Sequence, residues 1–114
     1  MTAELEALRS ALTRGEEPRE GPWAAGHVQL VRRPGGALDH VRVTLPAATD
    51  LDELAGRFGP PAFPPRTPAG RRSATFPATS PDDGEFAVTV LAELDGSGRA
   101  VVVVLRPDDL RGQR

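Results

Sequence analysis

The chain has 114 residues, with 14 basic and 16 acidic side chains, a formal net charge of −2 and no cysteine. This length suits one domain with one core, and the near-neutral charge gives no broad field that attracts nucleic acid or an anionic membrane. The lack of cysteine excludes a disulfide framework, a thiol nucleophile and a thiolate metal site.

The first predicted element is a helix over Thr2–Thr13. Leu5, Leu8 and Leu12 recur at the spacing of one helical face, which predicts a single apolar stripe. Gly15 suits the helix exit, and a helix of about three turns needs a surface to pack on. We therefore expect this helix to lie on the rest of the fold through its leucines.

A polar connector follows from Gly15 to Gly26, and it contains one large aromatic residue, Trp23. A tryptophan in a loop either closes the edge of a core, with its indole N–H on a carbonyl, or forms an exposed anchor for a partner. The sequence leaves both interpretations open.

Two alternating runs, His27–Arg33 and Leu38–Leu45, flank Pro-Gly-Gly-Ala and predict a first β-hairpin. The alternation indicates one buried face and one face in solvent. With Arg33 set opposite Leu38, the buried face carries the pairs Val28–Val43, Leu30–Val41 and Arg32–Asp39, and the other face carries His27, Gln29, Arg42 and Thr44.

The second predicted helix spans Asp50–Phe58. Thr49 or Asp50 suits the N-cap, and Asp50 followed by Glu53 resembles a capping box. Gly59 and the two prolines after it end the helix. The predicted buried stripe consists of Leu51, Leu54 and Phe58.

A proline-rich crossover over 59–71 and a short strand over Arg72–Ala78 come next. The crossover is either a rigid connector with Phe63 tucked into the core or an extended P-x-x-P segment that docks into an aromatic groove. Pro77 predicts an edge position for the strand, because proline donates no ladder hydrogen bond. The residues Ser80-Pro-Asp-Asp-Gly predict a turn.

The clearest local signal is a long antiparallel hairpin from Glu85 to Arg106 that turns around Gly96-Ser97. With Leu94 set opposite Arg99, one face carries the pairs Ala92–Val101, Val90–Val103 and Val88–Leu105, extended by Phe86. The other face carries Glu93–Ala100, Leu91–Val102 and Thr89–Val104, so its middle is apolar as well.

A strand is apolar on both faces when something packs on each of them. The cover over Leu91, Val102 and Val104 is either the first helix or the Trp23 loop of the chain itself, or it is a partner. A partner here could be another protein or a second copy in a homodimer. The candidate interface comprises Leu91, Val102, Val104, Thr89 and Trp23.

Two histidines, His27 and His40, lie on adjacent predicted strands, but they are offset along the strands by about 10 Å or more. That separation is too large for a shared ion, so we expect solvated residues and neither a metal nor a cofactor. His40 with Arg42 remains a candidate pocket mouth between sheet and helices, with His40 as an isolated general base. The pairs Asp82-Asp83 and Asp108-Asp109 lack EF-hand spacing and are interpreted as acidic turns.

Arg66, Arg71 and Arg72 form a candidate anion-binding patch beside Thr67 and Ser73, and the alternative is a solvated basic loop. The sequence has no Gly-x-Ser-x-Gly elbow and no phosphate loop with lysine. The lack of these catalytic motifs favours a protein that is not an enzyme.

The start Met-Thr-Ala-Glu leads into an acidic amphipathic stretch, whereas a secretory signal begins with basic and then apolar residues. The longest unbroken apolar run, Ala100–Leu105, is too short to span a bilayer. Every basic residue is arginine, and residues with GC-rich codons are frequent, as in a high-GC bacterial genome such as that of an actinobacterium. We therefore expect a cytoplasmic protein with no nucleic-acid or membrane partner.

From Thr49 onward the predicted order is a capped helix, an exit through Gly59-Pro60-Pro61, a crossover and three strands. This order, which covers about half of the chain, resembles the module shared by BamE-type outer-membrane lipoproteins and β-lactamase-inhibitor-like proteins. In that module a short helix ending in Leu-Gly-x-Pro precedes an antiparallel sheet. The counterpart here is Leu54-Ala-Gly-Arg-Phe58-Gly59-Pro60-Pro61. The resemblance implies a non-catalytic binding module. The sequence departs from the family because it lacks a lipobox cysteine and has a hairpin before the helix, so export is not expected to carry over.

Together these elements predict one α+β domain over residues 1–114, in the order α-β-β-α-β-β-β, with a frayed tail over 107–114. Its two helices are expected to pack on an antiparallel sheet of about five strands. The leading functional hypothesis is a small non-catalytic protein-binding module of the inhibitor, immunity or accessory-subunit type. The alternatives are a small-ligand-binding domain or minor enzyme, and a homo-oligomeric structural protein.

Overall fold

A computed structural model describes residues 2–23, 26–63, 72–77 and 86–109 of the chain. This part forms two helices and a six-stranded antiparallel sheet, so the predicted α+β class is confirmed. Along the sheet the strands lie in the order β1-β2-β3-β6-β5-β4. The elements in chain order are α1 (Thr2–Thr13), β1 (Gly21–Trp23), β2 (Gly26–Arg32), β3 (Leu38–Thr49), α2 (Leu51–Phe58), β4 (Ser73–Phe76), β5 (Phe86–Leu94) and β6 (Ala100–Asp109).

The sixth strand is β1, which lies inside the segment predicted as a connector. It has only three residues, including Pro22, and it pairs with the start of β2 through Gly21 opposite Val28 and Trp23 opposite Gly26. The predicted element order therefore lacked one strand. Three residues are too few to show an alternating pattern, and a proline within a run argues against a strand unless it lies at an edge. An edge is where β1 lies.

Both helices pack on one face of the sheet, which we call the inner face. The predicted stripe of α1 is confirmed, because Leu5, Leu8 and Leu12 are all buried in the core. From α2, the ring of Phe58 meets the ring of Phe76 edge-on at 5.9 Å between centroids. Side chains of β2–β6 complete this core, namely Val28, Val41, Val43, Leu45, Ala74, Phe76, Val88, Val90, Ala92, Ala100, Val103 and Leu105.

The second helix begins and ends close to the predicted residues. Asp50 is the N-cap residue, but its carboxylate makes no capping hydrogen bond and lies 3.1 Å from Nε of Arg99 instead. The expected capping box is therefore wrong, although the position of the helix start is right. Gly59 ends the helix with a φ of 95°, a conformation that glycine adopts without a steric penalty. Leu54 and Phe58 are buried, and Leu51 is partly buried against the core.

The first hairpin has the predicted register except near its turn. Val28 pairs with Val43 and Leu30 with Val41, as expected. Beyond these pairs β3 contains a bulge, so Arg32 faces Leu38 and Asp39 is left as the extra residue. The predicted pair of Arg32 with Asp39 is wrong. Arg32 bonds instead to the carboxylate of Glu17 at 3.0 and 2.9 Å, and Asp39 accepts from Arg33 at 3.0 Å.

The central hairpin is confirmed, but its register differs from the predicted one by two residues. Its turn is closed by Asp95, whose Oδ1 accepts hydrogen bonds from the backbone N–H of Ser97 and of Arg99. Leu94 pairs with Ala100, and a bulge at Val101 then shifts the ladder, which continues with the pairs Glu93–Val102, Ala92–Val103, Leu91–Val104 and Val90–Leu105.

A shift of two residues leaves every paired side chain on its predicted face, because side chains alternate with a period of two. Val88, Val90, Val103 and Leu105 are accordingly buried. The exceptions lie at the bulge, where Ala100 is buried and Val101 is only partly buried, the reverse of the expectation.

Several smaller expectations concern the sheet edges and the crossover. β4 lies at the sheet edge, as Pro77 predicts, and its Thr75 exchanges two backbone hydrogen bonds of 2.8 Å with Ala62. Phe63 is 61% exposed, so the expectation that it tucks into the core is wrong. The frayed tail was predicted to start at residue 107, which is too early because β6 continues to Asp109. The predicted turn over 80–84 and the residues of the P-x-x-P segment from 64 onward lie outside the described residues.

Among the helices of the described residues, none is both long and apolar enough to cross a membrane.

Two glycines provide a matched test of this fold. A Cβ on Gly26 would overlap the carbonyl oxygen of Thr44 on the neighbouring strand, and the residue has a φ of 136°. Gly56 lies exposed within α2, and apart from its chain neighbours and the backbone of its own helix no atom lies within 4 Å of a Cβ built there. We expect Gly26→Ala to lower the free energy of unfolding by about 3 kcal/mol, and Gly56→Ala to raise it by about 0.5–1 kcal/mol. Urea denaturation measures both, and equal effects of the two substitutions would contradict the assigned positions.

Candidate functional site

The candidate site is the sheet face opposite the helices, which we call the outer face. Its centre is formed by alternate residues of the three middle strands β3, β6 and β5. The ladder places Arg42 opposite Val104, which in turn lies opposite Leu91. In the next row, Thr44 lies opposite Val102, which lies opposite Glu93. Thr89 follows Leu91 on the same side of β5.

The apolar residues at this centre are only partly buried. Leu91, Val102 and Val104 each keep part of their surface in solvent, and so does Thr89. Their neighbours Val90, Val103 and Leu105, which point to the other side, are all fully buried. The difference between adjacent residues shows that one side of these strands has a complete cover and the other does not.

Neither of the two expected internal covers lies on the outer face. The leucines of α1 pack into the inner core, and Arg9 of the same helix stacks over the ring of Phe58 at 4.8 Å. Trp23 lies on the same side of β1 as Gly21, which is opposite the buried Val28, and it packs against the core. The structure therefore brings four of the five predicted interface residues together and separates Trp23 from them.

A charged pair crosses the outer face. Nη1 of Arg42 donates to Oε2 of Glu93 at 2.9 Å, and Nη2 donates to Oε1 at 3.1 Å. Arg42 is on β3 and Glu93 is on β5, with β6 between them. Because Arg42 lies beside Val104 and Glu93 beside Val102, the bonded side chains pass over β6. Their methylene groups thus provide part of the cover that these two valines have.

Sequence reasoning named Arg42 as a site candidate but missed its partner. The two residues are 51 positions apart, and the predicted register placed Glu93 opposite Ala100 instead of Val102. The signal that would have found the pair is the correct stacking of β3, β6 and β5, since only that order places opposite charges on the two sides of an apolar strand.

A second polar cluster lies beside the centre of the outer face, at the bulge of β3. Nδ1 of His40 is 2.6 Å from Oδ2 of Asp39, and Arg106 of β6 lies 3.7 Å from the same oxygen. Consecutive strand residues normally point to opposite faces, and the bulge removes this constraint for Asp39. The carboxylate therefore collects its neighbour His40 together with Arg33 and Arg106.

These contacts change the acidity of Asp39. The hydrogen bond from His40 and then that from Arg33 hold the pKa of the Asp39 carboxyl below its usual value, because both favour the ionised form. The carboxylate is thus an ionised acceptor in the folded protein at neutral pH. It orients His40 at the border of the apolar centre.

The remaining candidate residues lie apart from this surface or outside the described chain. Four residues separate His27 from His40 along the ladder, since His27 pairs with Thr44. His40 and Arg42 lie on the outer face and not between sheet and helices, where the predicted pocket was placed. The backbone oxygen of the exposed Arg72 accepts from Leu94, whereas Arg66, Arg71 and the pair Asp82-Asp83 lie outside the described residues. Among described residues, no group of three or more His, Cys, Asp or Glu could hold a metal ion.

Comparisons with protein-family models, with curated proteins and with solved structures gave no significant match. The resemblance to the module of BamE-type lipoproteins and β-lactamase-inhibitor-like proteins therefore stays a prediction.

The pair across β6 is expected to contribute measurable coupling. In a double-mutant cycle with Arg42→Met and Glu93→Gln, we expect a coupling energy of about 1 kcal/mol, because the bond is bidentate and both side chains are two-thirds or more buried, at 33% and 27% exposure. The control pair Arg14–Glu16, with both side chains more than half exposed, should give a clearly smaller coupling energy, because solvent screens the two charges. Equal coupling in the two cycles would contradict the role assigned to the crossing pair.

Asp39 is expected to make stability depend on pH. Its pKa is lower in the folded state than in the unfolded chain, so its contribution is complete above the usual value of 3.8 and is lost as pH falls through that value towards the folded pKa. Asp39→Asn should therefore destabilise the protein at pH 7 and have a progressively smaller effect below about pH 4. Chemical denaturation of both proteins at several pH values measures this difference, and a difference that is constant with pH would be inconsistent with it.

Proposed function

We propose that the protein is a small non-catalytic module that binds another protein chain through its outer face, as inhibitors, immunity proteins and accessory subunits do. The observation that carries the proposal is the partly exposed apolar centre of Leu91, Val102 and Val104, on a sheet face over which neither of the two described helices lies. An antiparallel sheet with one solvated face ordinarily presents polar residues there. A contiguous apolar centre on such a face is typical of an interaction site.

The rigidity of the surface supports the same function. The three strands that form the centre of the outer face are interior strands of the sheet, and the opposite sides of β5 and β6 are fully buried around Val90, Val103 and Leu105. Backbones that are paired on both sides and packed underneath hold their outer side chains in place. Binding to a preformed surface avoids the entropy cost of ordering it.

The polar groups around the centre support binding of a protein in particular. Arg42 and Glu93 lie on its two sides, Thr44 and Thr89 add hydroxyl groups, and Arg106 with Asp39 lies at one end. A partly apolar centre with hydrogen-bonding groups around it is the usual composition of a protein–protein interface. Arginine in such a position is also frequent among residues that dominate binding energy.

Site-specific photo-crosslinking tests this proposal. A photoreactive amino acid at Thr89, on the outer face, should give a discrete covalent adduct with a protein in cells of the source organism. The matched control at Asp52, exposed on α2, should give none of comparable yield. Adding Leu91→Glu to the Thr89 variant should abolish the adduct, because a carboxylate cannot be desolvated in an apolar contact without a large cost.

The fold of the Leu91→Glu protein can be checked by circular dichroism. We expect it to be retained, since Leu91 already has part of its surface in water. If a folded protein gives no adduct from Thr89, or gives adducts equally from Thr89 and Asp52, the proposed role of the outer face is wrong.

A further inference from the structure

We infer that the chain bound to the outer face is a second copy of this protein, in a two-fold, face-to-face dimer. This inference rests on the proposed function and names its partner. It follows from how the charges and the apolar residues of the outer face are arranged about β6.

The charges at the centre of the outer face are complementary to those of a second copy. Arg42 and Glu93 lie on opposite sides of β6, with their midpoint near Val103. A two-fold axis in the plane of the contact, perpendicular to the line that joins them, exchanges their positions. Arg42 of each copy then faces Glu93 of the other, so a single surface supplies both halves of two ion pairs.

The crossing pair has hydrogen-bonding capacity left for such a contact. Arg42 uses one N–H of Nη1 and one of Nη2 for Glu93, and a guanidinium has five N–H groups. The carboxylate accepts one bond on each oxygen from Arg42, and each oxygen has a second lone pair. The bonds within each copy can therefore persist while two bonds between copies form, which gives a ring of four alternating charges.

The apolar residues fit the same axis. In the ladder, Val104 lies between Arg42 and Leu91, and Val102 between Thr44 and Glu93. The axis that exchanges Arg42 with Glu93 brings Leu91 of one copy next to Val104 of the other. Leu91 and Val104, which are partly exposed in a single chain, are therefore buried against each other across the contact, and Val102 of each copy lies next to Thr44 of the other.

The charge balance of the surface favours a second copy over a strongly acidic or basic partner. At the centre, the single positive charge of Arg42 is matched by the single negative charge of Glu93. A centre with one charge of each sign offers no steering field for a partner of one sign. It does suit a surface with the same pattern in the reversed direction, which is its own copy.

Charge reversal and mixing test the inference. By sedimentation equilibrium, the purified wild-type protein should have twice the chain mass of 12.1 kDa. Arg42→Glu and Glu93→Arg should each raise the dimer dissociation constant by at least about tenfold, because like charges then face each other across the contact. An equimolar mixture of the two variants should recover dimers, since each reversed residue of one variant faces an opposite charge of the other.

The recovery on mixing can come only from contacts between chains. Each variant has charges of the same sign at both positions of the crossing pair, and mixing does not change this. Mixing therefore restores no bond inside a chain. The control variants are Arg57→Glu and Glu6→Arg, which reverse the pair that joins α2 to α1 at 2.9 Å on the helix side. They should leave the dimer mass unchanged, separately and mixed.

The possible failures separate this inference from the proposed function. A wild-type protein that is monomeric at millimolar concentration overturns the dimer, as does a mixture that stays monomeric while both variants are folded. If the Thr89 photo-crosslink then joins the chain to a different protein, the binding function stands with another partner. If no adduct forms either, both proposals fail.

Discussion

The structure depends on one packing constraint, which is that the two helices of the described residues cover the same side of the sheet. α1 and α2 supply their leucines and Phe58 to the inner face, and the strands supply every second residue. The core is complete on that side. Each intervening residue of β3, β6 and β5 is consequently displayed on the outer face, so its character is set by something other than the core. The apolar residues there, and the ion pair that crosses them, are the part of the sequence that the fold alone does not explain.

Much of the fold follows from local patterns in the sequence. The bounds of α1, the end of α2 at Gly59, both hairpins and the edge position of β4 were predictable from leucine spacing, turn residues and proline placement. Each of these signals acts over a few residues and depends on backbone sterics or on the alternation of side chains. Such signals are legible in a single sequence because they need no knowledge of what lies nearby in space.

The errors in the predicted strand pairing have a common physical cause. The bulges at Asp39 and Val101 each insert one extra residue into a strand, and no local sequence pattern predicts them. They shifted the predicted pairing of Asp39 and of Glu93, which are the two carboxylates that matter most on the outer face. The apolar part of the candidate surface was therefore predictable, because a shift of two residues keeps each side chain on the same face. Its ion pairs were not predictable, because they require the correct register and the order of three strands.

The two edges of the sheet limit how this protein can assemble. β1 is three residues long and contains Pro22, which has no N–H to offer a further strand, while Thr75 in β4 already has both of its backbone groups bonded to Ala62. Extension of the sheet from chain to chain, the route to filaments, is thus hindered at both ends. An association across the outer face uses the same surface on both copies and leaves none for a third, so it is self-terminating. The geometry favours a closed assembly over open-ended growth.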